Sequence, residues 1–227
     1  MIILTGASGG IGSELLPHLV EIDNVIGIYN TTLPSMAPTA QLDFHQLDLR
    51  DVSAVGSFVD EWKPKLSKLT LVHCAALKID GLTANYSISD WDCVMEINMR
   101  ANFLLTQSLI PFMIRNRWGR IIHISSQGGL QGSPGTIAYT ASKTGVIGIS
   151  RVLAKEYARF CITSNVLALG HFEVGLFEIL SDDLKMKLLN EIPSKTLGKV
   201  SNIANAIEFL MKSEFVNGST INIDGGM

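Results

Sequence analysis

The sequence predicts an α/β protein in which a doubly wound parallel sheet carries helices on both faces. Short apolar runs alternate with segments of helical period along the whole chain, the pattern of parallel strands joined by crossover helices. Apolar residues make up 47% of the 227 residues, enough to bury a large core. Because no linker, repeat or low-complexity tract divides the chain, we expect residues 1–227 to form a single domain.

The apolar runs locate the strands, and the helical-period segments locate the helices. We expect strands near residues 1–5, 24–30, 42–48, 69–74, 119–125, 161–167 and 219–223. We expect helices near residues 11–21, 52–62, 88–115, 136–160, 174–190 and 201–212. The segment 30–40 contains Pro34 and Pro38 and has no apolar period, so we expect a loop there instead of a crossover helix.

The charge balance and the hydropathy exclude two classes of partner. Eighteen Lys and Arg residues face 21 Asp and Glu residues, and no basic run offers the footprint that nucleic acid binding needs. No stretch approaches the roughly 18 apolar residues of a membrane span, and a strand-like run begins at Met1 without a basic leader. We therefore expect a cytoplasmic protein with no nucleic acid partner and no membrane segment.

The cysteines and histidines do not predict a metal site. Cys74, Cys93 and Cys161 are widely spaced, with no Cys or His nearby at zinc-ligand spacing, so we expect buried, reduced thiols. His73 and His171 stand beside predicted turns, and we interpret both as structural groups.

A glycine-rich loop follows the first strand directly and leads into a helix. Glycine permits a tight turn and a close backbone approach to a pyrophosphate, and the helix N-terminus favours negative charge. The strand-loop-helix order predicts a dinucleotide phosphate site, and the alternative is a tight turn with no ligand. The residues expected at this site are Gly6, Ser8, Gly9, Gly10, Ile11 and Gly12.

Tyr139 and Lys143 stand four residues apart at the start of a predicted helix, on one face and one turn from each other. A nearby cation stabilises a phenolate, so the pair can act as an acid/base group near neutral pH. Taken alone, the same spacing also fits an ordinary pair on a helix surface.

Together these residues resemble the short-chain dehydrogenase/reductase family, of the compact single-domain type. Thr5 to Gly12 is similar to its TGxxxGxG loop, Tyr139 to Lys143 is similar to its YxxxK motif, and Ser126 ends a strand 13 residues before Tyr139. Asn98 lies in the predicted long helix where the family carries an Asn, and residues 218–227 resemble its C-terminal strand and turn. The resemblance covers nearly the whole chain and implies a Rossmann fold.

The resemblance implies a role for each of four catalytic residues. Ser126 would bond the substrate oxygen, and Tyr139 would donate or take the proton. Lys143 would lower the pKa of Tyr139 and hold the nicotinamide ribose, while Asn98 would hold a water in the proton relay. The alternatives are a strand-end serine bonded locally for Ser126 and a helix asparagine bonded to nearby backbone for Asn98.

The resemblance also implies cofactor contacts at the ends of further strands. Asp48, with Leu49 after it, resembles the family's adenine-contacting residue, and the alternative is a helix cap for the segment that starts at Asp51. The family's NNAG segment reads His73-Cys74-Ala75-Ala76 here, which keeps the backbone contact but loses the Asn side chains. The expected contacts in this segment are Cys74, Ala75 and Ala76.

The segment after the sixth strand departs from the family pattern at the nicotinamide end. The family pattern N-x-V-x-P-G-x-V-x-T is read here from Asn165 to Val174, so Leu169 replaces the Pro and Val174 replaces the Thr. Loss of one hydroxyl bond to a polar cofactor group costs about 0.5–1.5 kcal/mol, which weakens binding without abolishing it. Gly170 and Phe172 remain expected cofactor contacts.

Cofactor choice is expected to depend on the end of the second strand, which reads Tyr29-Asn30-Thr31-Thr32. An acidic residue at this place binds the ribose diol and repels a 2′-phosphate. Asn30 is uncharged, and Thr31 and Thr32 offer hydroxyls, so the sequence favours NADP(H) over NAD(H), although no Arg accompanies them.

These features predict an enzyme that passes a hydride between NAD(P)H and a small carbonyl or alcohol substrate, with Tyr139 as proton donor or acceptor and without a metal. The alternative is a catalytically silent dinucleotide-binding sensor or scaffold, which Leu169 and Val174 favour. The apolar segment 172–196 is interpreted either as a substrate lid or as a surface helix with one buried face.

The helices near 88–115 and 136–160 predict a homodimer or homotetramer. The first carries too many apolar positions for the single stripe that packs on a sheet, which predicts a second covered face. The resemblance implies the same, because similar proteins commonly associate through these two helices. The alternative is that both helices lie deep in the core of a monomer.

Overall fold

A computed structural model of the chain describes residues 1–174 and 181–227. One sheet of seven parallel strands forms its centre, in the order β3-β2-β1-β4-β5-β6-β7. The doubly wound sheet and all seven predicted strands are confirmed. The strands are β1 (Ile2–Thr5), β2 (Val25–Tyr29), β3 (Leu42–Gln46), β4 (Leu69–His73), β5 (Gly119–Ser126), β6 (Ile162–Leu169) and β7 (Thr220–Ile223).

Helices connect the strands, except between β2 and β3, where the segment 30–40 is a loop as predicted. A short 3₁₀ turn covers Thr83–Asn85, and a second one, Ala158–Phe160, follows α6. The α-helices are α1 (Gly10–Ile22), α2 (Val52–Trp62), α3 (Ile88–Met95), α4 (Ala101–Asn116), α5 (Gln127–Gln131), α6 (Ile137–Tyr157), α7 (Asp182–Glu191) and α8 (Val200–Lys212).

The structure corrects two of the predicted helices. The helix predicted over 88–115 is divided by a π-helical turn, Glu96–Arg100, which joins α3 to α4. A π turn adds one residue to the helical repeat, but the segment around it is apolar on more than one face, so its periodicity does not show the turn. The helix predicted over 174–190 begins at Asp182 in the described part of the chain, and residues 175–180, including Leu176, Phe177 and Leu180, lie outside the described residues.

Two apolar clusters fill the space on either side of the sheet. The first joins Leu4 and Val72 to α1 and α8, and the second joins Ile3 and Leu71 to α2 and α4. Neighbouring strand residues point to opposite faces, and helices cover both faces, so β1 and β4 bury apolar residues on each side of the sheet. None of the described helices is long and apolar enough to cross a membrane.

The strand order reverses between β1 and β4, which are neighbours in the sheet although β2 and β3 lie between them in sequence. Open parallel sheets bind ligands at such a reversal, beyond the carboxyl ends of the strands. The fold therefore places the predicted site segments, which follow β1 to β6, at one edge of the sheet.

Candidate active site

A cavity of about 1080 Å³ opens at the carboxyl ends of the strands. It brings together every predicted site residue except Asn98. The predicted residues that line it are Gly6, Ser8, Gly9, Gly10, Ile11, Gly12, Asn30, Thr31, Asp48, Leu49, Cys74, Ala75, Ala76, Ser126, Tyr139, Lys143, Gly170 and Phe172.

In the glycine-rich loop, the backbone packs directly against neighbouring backbone and leaves no room for side chains at two glycines. Gly6 has a φ of 71°, and a Cβ there would lie 2.7 Å from the Cα of Ala75, so only glycine fits the turn. A Cβ on Gly12 would overlap the Gly6 carbonyl oxygen. Helix α1 begins at Gly10 and directs its N-terminus at this loop, where unpaired N–H groups favour an anion.

Thr5 fixes the loop against the end of β4. Its hydroxyl oxygen accepts hydrogen bonds from the backbone N–H groups of Cys74 and Ala75, both at 3.1 Å. The thiol of Cys74 stands where the family pattern has an Asn, and burial raises its pKa to about 11, so the thiol is protonated at neutral pH.

The cysteines are free, as expected, but they are not all buried. Cys74 and Cys93 are partly buried, while Cys161 is exposed at the turn before β6. Its φ of 60° belongs to the left-handed region, which the sequence pattern of an apolar strand start does not reveal.

The cavity wall also carries an ion pair. The guanidinium of Arg50 donates to both carboxylate oxygens of Asp48, at 2.7–3.2 Å, and this contact holds the pKa of Asp48 below its usual value. Asp51, and not Asp48, caps α2 by accepting from the N–H groups of Ser53 and Ala54. The alternative of a helix cap at Asp48 is therefore wrong.

Ser126 and Tyr139 meet at the inner end of the cavity. Burial raises the pKa of Tyr139, and the nearby Ser126 hydroxyl opposes that shift. The Ser126 oxygen also accepts from the N–H of Gly128 at 3.2 Å and caps α5. Ser126 is thus bonded locally and still lines the cavity, so its hydroxyl hydrogen remains able to point towards a ligand.

Lys143 is buried beneath Tyr139, with 4% of its surface exposed. Its Nζ lies 5.7 Å from the centre of the Tyr139 ring and donates to the Ile124 carbonyl oxygen at 2.7 Å. Burial lowers the pKa of Lys143 to about 8. The expected lowering of the Tyr139 pKa does not appear in this structure, because burial of the phenol is the larger effect.

Asn98 does not line the cavity. Its side chain is hydrogen-bonded to Leu77 and Ser142 instead. Its Oδ1 accepts from the N–H of Leu77 at 2.7 Å, and its Nδ2 donates to the Leu77 carbonyl and to Ser142 Oγ, both at 2.9 Å. The backbone that it bonds is 21 residues away, not nearby as the alternative supposed. Asn98 therefore fixes the segment after β4 to the π turn and to α6.

The segment after β6 lines the nicotinamide end that the sequence predicts. Leu169, Gly170, His171, Phe172 and Val174 all lie on the cavity wall. The Phe172 ring is also buried in the core, and a Cβ on Gly198 would overlap that ring. Phe172 therefore anchors the start of the segment predicted as a lid.

Sequence reasoning missed several residues that line the cavity. The cations Arg50 and Lys78 follow β3 and β4, and the apolar residues Leu77, Ile97 and Leu188 complete the wall. Position just after a parallel strand is the signal that could have identified the first two. With Lys143, three cations and the carboxylate of Asp48 line the cavity, which suits an anionic ligand such as a dinucleotide.

Comparison with known proteins agrees with this geometry. The profile of the family described as short chain dehydrogenase matches residues 1–185. The chain belongs to the short-chain dehydrogenase family. The family resemblance expected from the sequence is confirmed.

Several named relatives align with almost the whole chain. Nodulation protein G of Rhizobium sp. (strain N33) is 34% identical over 233 residues, which cover 99% of this chain and 95% of that protein. The 3-oxoacyl-(acyl-carrier-protein) reductase FabG of Thermotoga maritima is 34% identical and covers 99% of this chain and 96% of its own. The same enzyme of Rickettsia bellii is 33% identical.

A solved structure titled "ElxO with NADP Bound" shares the fold, with a TM-score of 0.89 and 24% identity. The match covers 99% of this chain and 96% of that chain. The Rossmann-type architecture is therefore the same from β1 to β7.

We predict that Asn98→Ala lowers the free energy of unfolding by about 1–3 kcal/mol, because it leaves the partly buried backbone groups of Leu77 without partners and removes a buried hydrogen bond to Ser142. Urea unfolding followed by circular dichroism measures the change. Asn205→Ala, on the exposed face of α8, serves as the control and is expected to stay within about 0.5 kcal/mol of the unsubstituted protein. Equal stability of the two variants would contradict the role assigned to Asn98.

Proposed function

We propose that the protein reduces a ketone or aldehyde with NADPH, with hydride transfer at the inner end of the cavity. The observation that carries this proposal is the grouping of Ser126, Tyr139 and Lys143 in the cavity that the glycine-rich loop opens into. When bound, the reduced nicotinamide supplies the hydride, and the protein supplies the proton and the orientation.

Each of the three side chains has a distinct role in this proposal. The Ser126 hydroxyl donates to the substrate oxygen and orients the carbonyl group. Tyr139 gives its phenolic proton to that oxygen as negative charge develops on it. The Lys143 ammonium stabilises the resulting phenolate and binds ribose hydroxyls of the cofactor.

The raised pKa of Tyr139 keeps its phenol protonated at neutral pH, which suits a role as the acid in carbonyl reduction. A phenol that holds its proton at neutral pH is ready to act as an acid, whereas alcohol oxidation begins with a phenolate base. Lys143, with a pKa of about 8, is largely charged below that pH and can offset the phenolate that forms.

The relatives suggest a substrate class. Two of the named relatives are 3-oxoacyl-(acyl-carrier-protein) reductases, and we propose a 3-oxoacyl thioester as the first substrate to test. The apolar wall formed by Leu77, Ile97 and Leu188 suits an acyl chain. We further propose that residues 172–196 act as a lid within a single domain, because Phe172, Val174 and Leu188 line the cavity.

NADP(H) is the proposed cofactor, with NAD(H) as the alternative. Asn30 and Thr31 line the cavity and place no carboxylate where a 2′-phosphate would be repelled. The Asn30 carbonyl oxygen accepts from Gln46 Nε2 at 2.8 Å, which fixes the turn after β2. The NADP bound to ElxO is a further reason to test this cofactor first.

We also propose a homodimer or homotetramer that associates through α3, α4 and α6. A shallow groove there is lined by Met95, Met99, Phe103 and Ile149, with Glu96 and Arg100 beside them. Phe103 and Val152 are each 53% exposed, whereas Phe112 is buried in the core of one protomer. A patch with apolar, acidic and basic groups can pair with its own copy about a two-fold axis.

Activity is predicted to depend on the Tyr139 proton. In an assay of NADPH oxidation with 3-oxoacyl thioesters, simple ketones and keto-sugars, we expect Tyr139→Phe to lower turnover by about a hundredfold or more. NADPH binding should change by less than about twofold. Tyr157→Phe, at the far end of α6, is the control and should keep full activity.

An unchanged rate for Tyr139→Phe would contradict the mechanism. If the unsubstituted protein binds NADPH but reduces no member of the panel, the silent sensor or scaffold becomes the better interpretation.

Cofactor preference is predicted to depend on Asn30. We expect Asn30→Asp to shift preference from NADPH towards NADH, because a carboxylate repels the 2′-phosphate and accepts bonds from the free diol. Titration calorimetry with both cofactors measures the shift, and Asn205→Asp controls for the added charge. The NADP(H) assignment fails if the unsubstituted protein binds NADH at least about tenfold more tightly than NADPH.

The oligomer is predicted to separate when charge enters the groove. Light scattering after size exclusion should give two or four times the 24.7 kDa chain mass, and Phe103→Glu should move the population towards one chain. Leu33→Glu, on an exposed loop, should leave the mass unchanged. A mass of one chain for the unsubstituted protein at micromolar concentration excludes the oligomer.

A further inference from the structure

Two histidines lie behind Lys143, between the sheet and α4. His73 and His123 are register partners on β4 and β5, each is 1% exposed, and their rings stack with centroids 5.0 Å apart at 13°. His73 Nε2 lies 2.8 Å from Thr106 Oγ1. His73, interpreted from the sequence as a structural group, thus has a buried partner of its own kind.

The pair belongs to a buried polar cluster that is short of hydrogen bonds. Eight buried side-chain polar atoms lack a partner in the described part of the chain, and four of them are here: His73 Nδ1, both ring nitrogens of His123, and Asn102 Oδ1. Asn102 lies one turn before Thr106 on α4, on the same face. Unpaired buried groups cost about 1–3 kcal/mol each, and bridging water is their usual partner.

The backbone next to His123 links the cluster to Lys143. The Lys143 ammonium donates to the carbonyl of Ile124, the residue after His123. Burial lowers the pKa of His73 and brings that of His123 to about 3, and the charge of Lys143 acts on both rings in the same direction. Both imidazoles are neutral at neutral pH, so each offers one N–H donor and one acceptor without adding charge.

We propose that His73, His123 and Asn102 enclose buried water behind Lys143, and that this hydrated cluster stabilises the Lys143 ammonium. The titratable groups that face Lys143 are Cys74 after β4, Tyr139 on α6 and the two histidines. The residues that α4 contributes to the cluster, Asn102 and Thr106, are uncharged. His73 and His123 are positioning residues for Lys143, and their effect on catalysis rests on the proposed function.

The test follows the titration of Lys143 by NMR in the cofactor-free protein with ¹³C-labelled lysine, its signal assigned by its loss in Lys143→Met. His123→Phe keeps the ring stack but removes both nitrogens. We expect it to lower the titration midpoint of Lys143 by about one pH unit or more, because the charged form loses its stabilisation. His123→Gln, which restores hydrogen bonding, should stay within about 0.3 unit.

His45→Phe on β3 is the matched control, since it makes the same substitution in the same sheet away from Lys143, and it should leave the midpoint unchanged. If His123→Phe fails to fold, Asn102→Leu removes another unpaired atom of the cluster and should lower the midpoint too. An unchanged or raised midpoint in the folded variants overturns the proposal.

Activity and stability add two further measurements. The alkaline limb of the kcat/KM profile should move to lower pH in His123→Phe by the same amount. The thermal midpoint should fall, because the variant leaves the enclosed water and Asn102 Oδ1 short of a hydrogen-bond partner. The NMR titration uses no substrate and no cofactor, so a positive titration in a protein that reduces nothing would reject only the proposed function.

Discussion

The close contact between the ends of β1 and β4 is the constraint on which the cavity depends. Thr5 accepts two backbone N–H groups from the chain after β4, and Gly6 lies so close to Ala75 that no side chain fits between them. The strand order reverses at this point, so the loops on either side diverge and leave the cavity open. Moving β1 away from β4 would separate the glycine-rich loop from Lys143.

Much of the fold could be predicted because apolar period and turn residues act locally. The seven strands and the loop at 30–40 follow from short apolar runs and from Pro34 and Pro38. The glycine-rich loop followed from its place between a strand and a helix, whereas the contacts at Asp48, Cys74 and Gly170 followed from the family resemblance. Arg50 and Lys78 were not predicted as cavity residues, because their position depends on where the loops after β3 and β4 lie in the folded chain.

Other features depend on tertiary contacts that spacing cannot reveal. Asn98 has the expected position in the sequence, yet its side chain is committed to Leu77 and Ser142, a pairing across more than 20 residues. The stack of His73 on His123 depends on the register of β4 against β5. Burial, not a neighbouring charge, sets the direction of the Tyr139 pKa, and only a three-dimensional structure gives burial.

The π turn at Glu96–Arg100 has a consequence for how this chain tolerates insertions and deletions. Such a turn holds one residue more than the regular helix on either side of it. Removing one residue there would let a continuous α-helix form without turning α4, because the wider turn already absorbs the extra residue. Asn98 lies inside the turn, so its contacts with Leu77 and Ser142 would be displaced even though α4 kept its orientation.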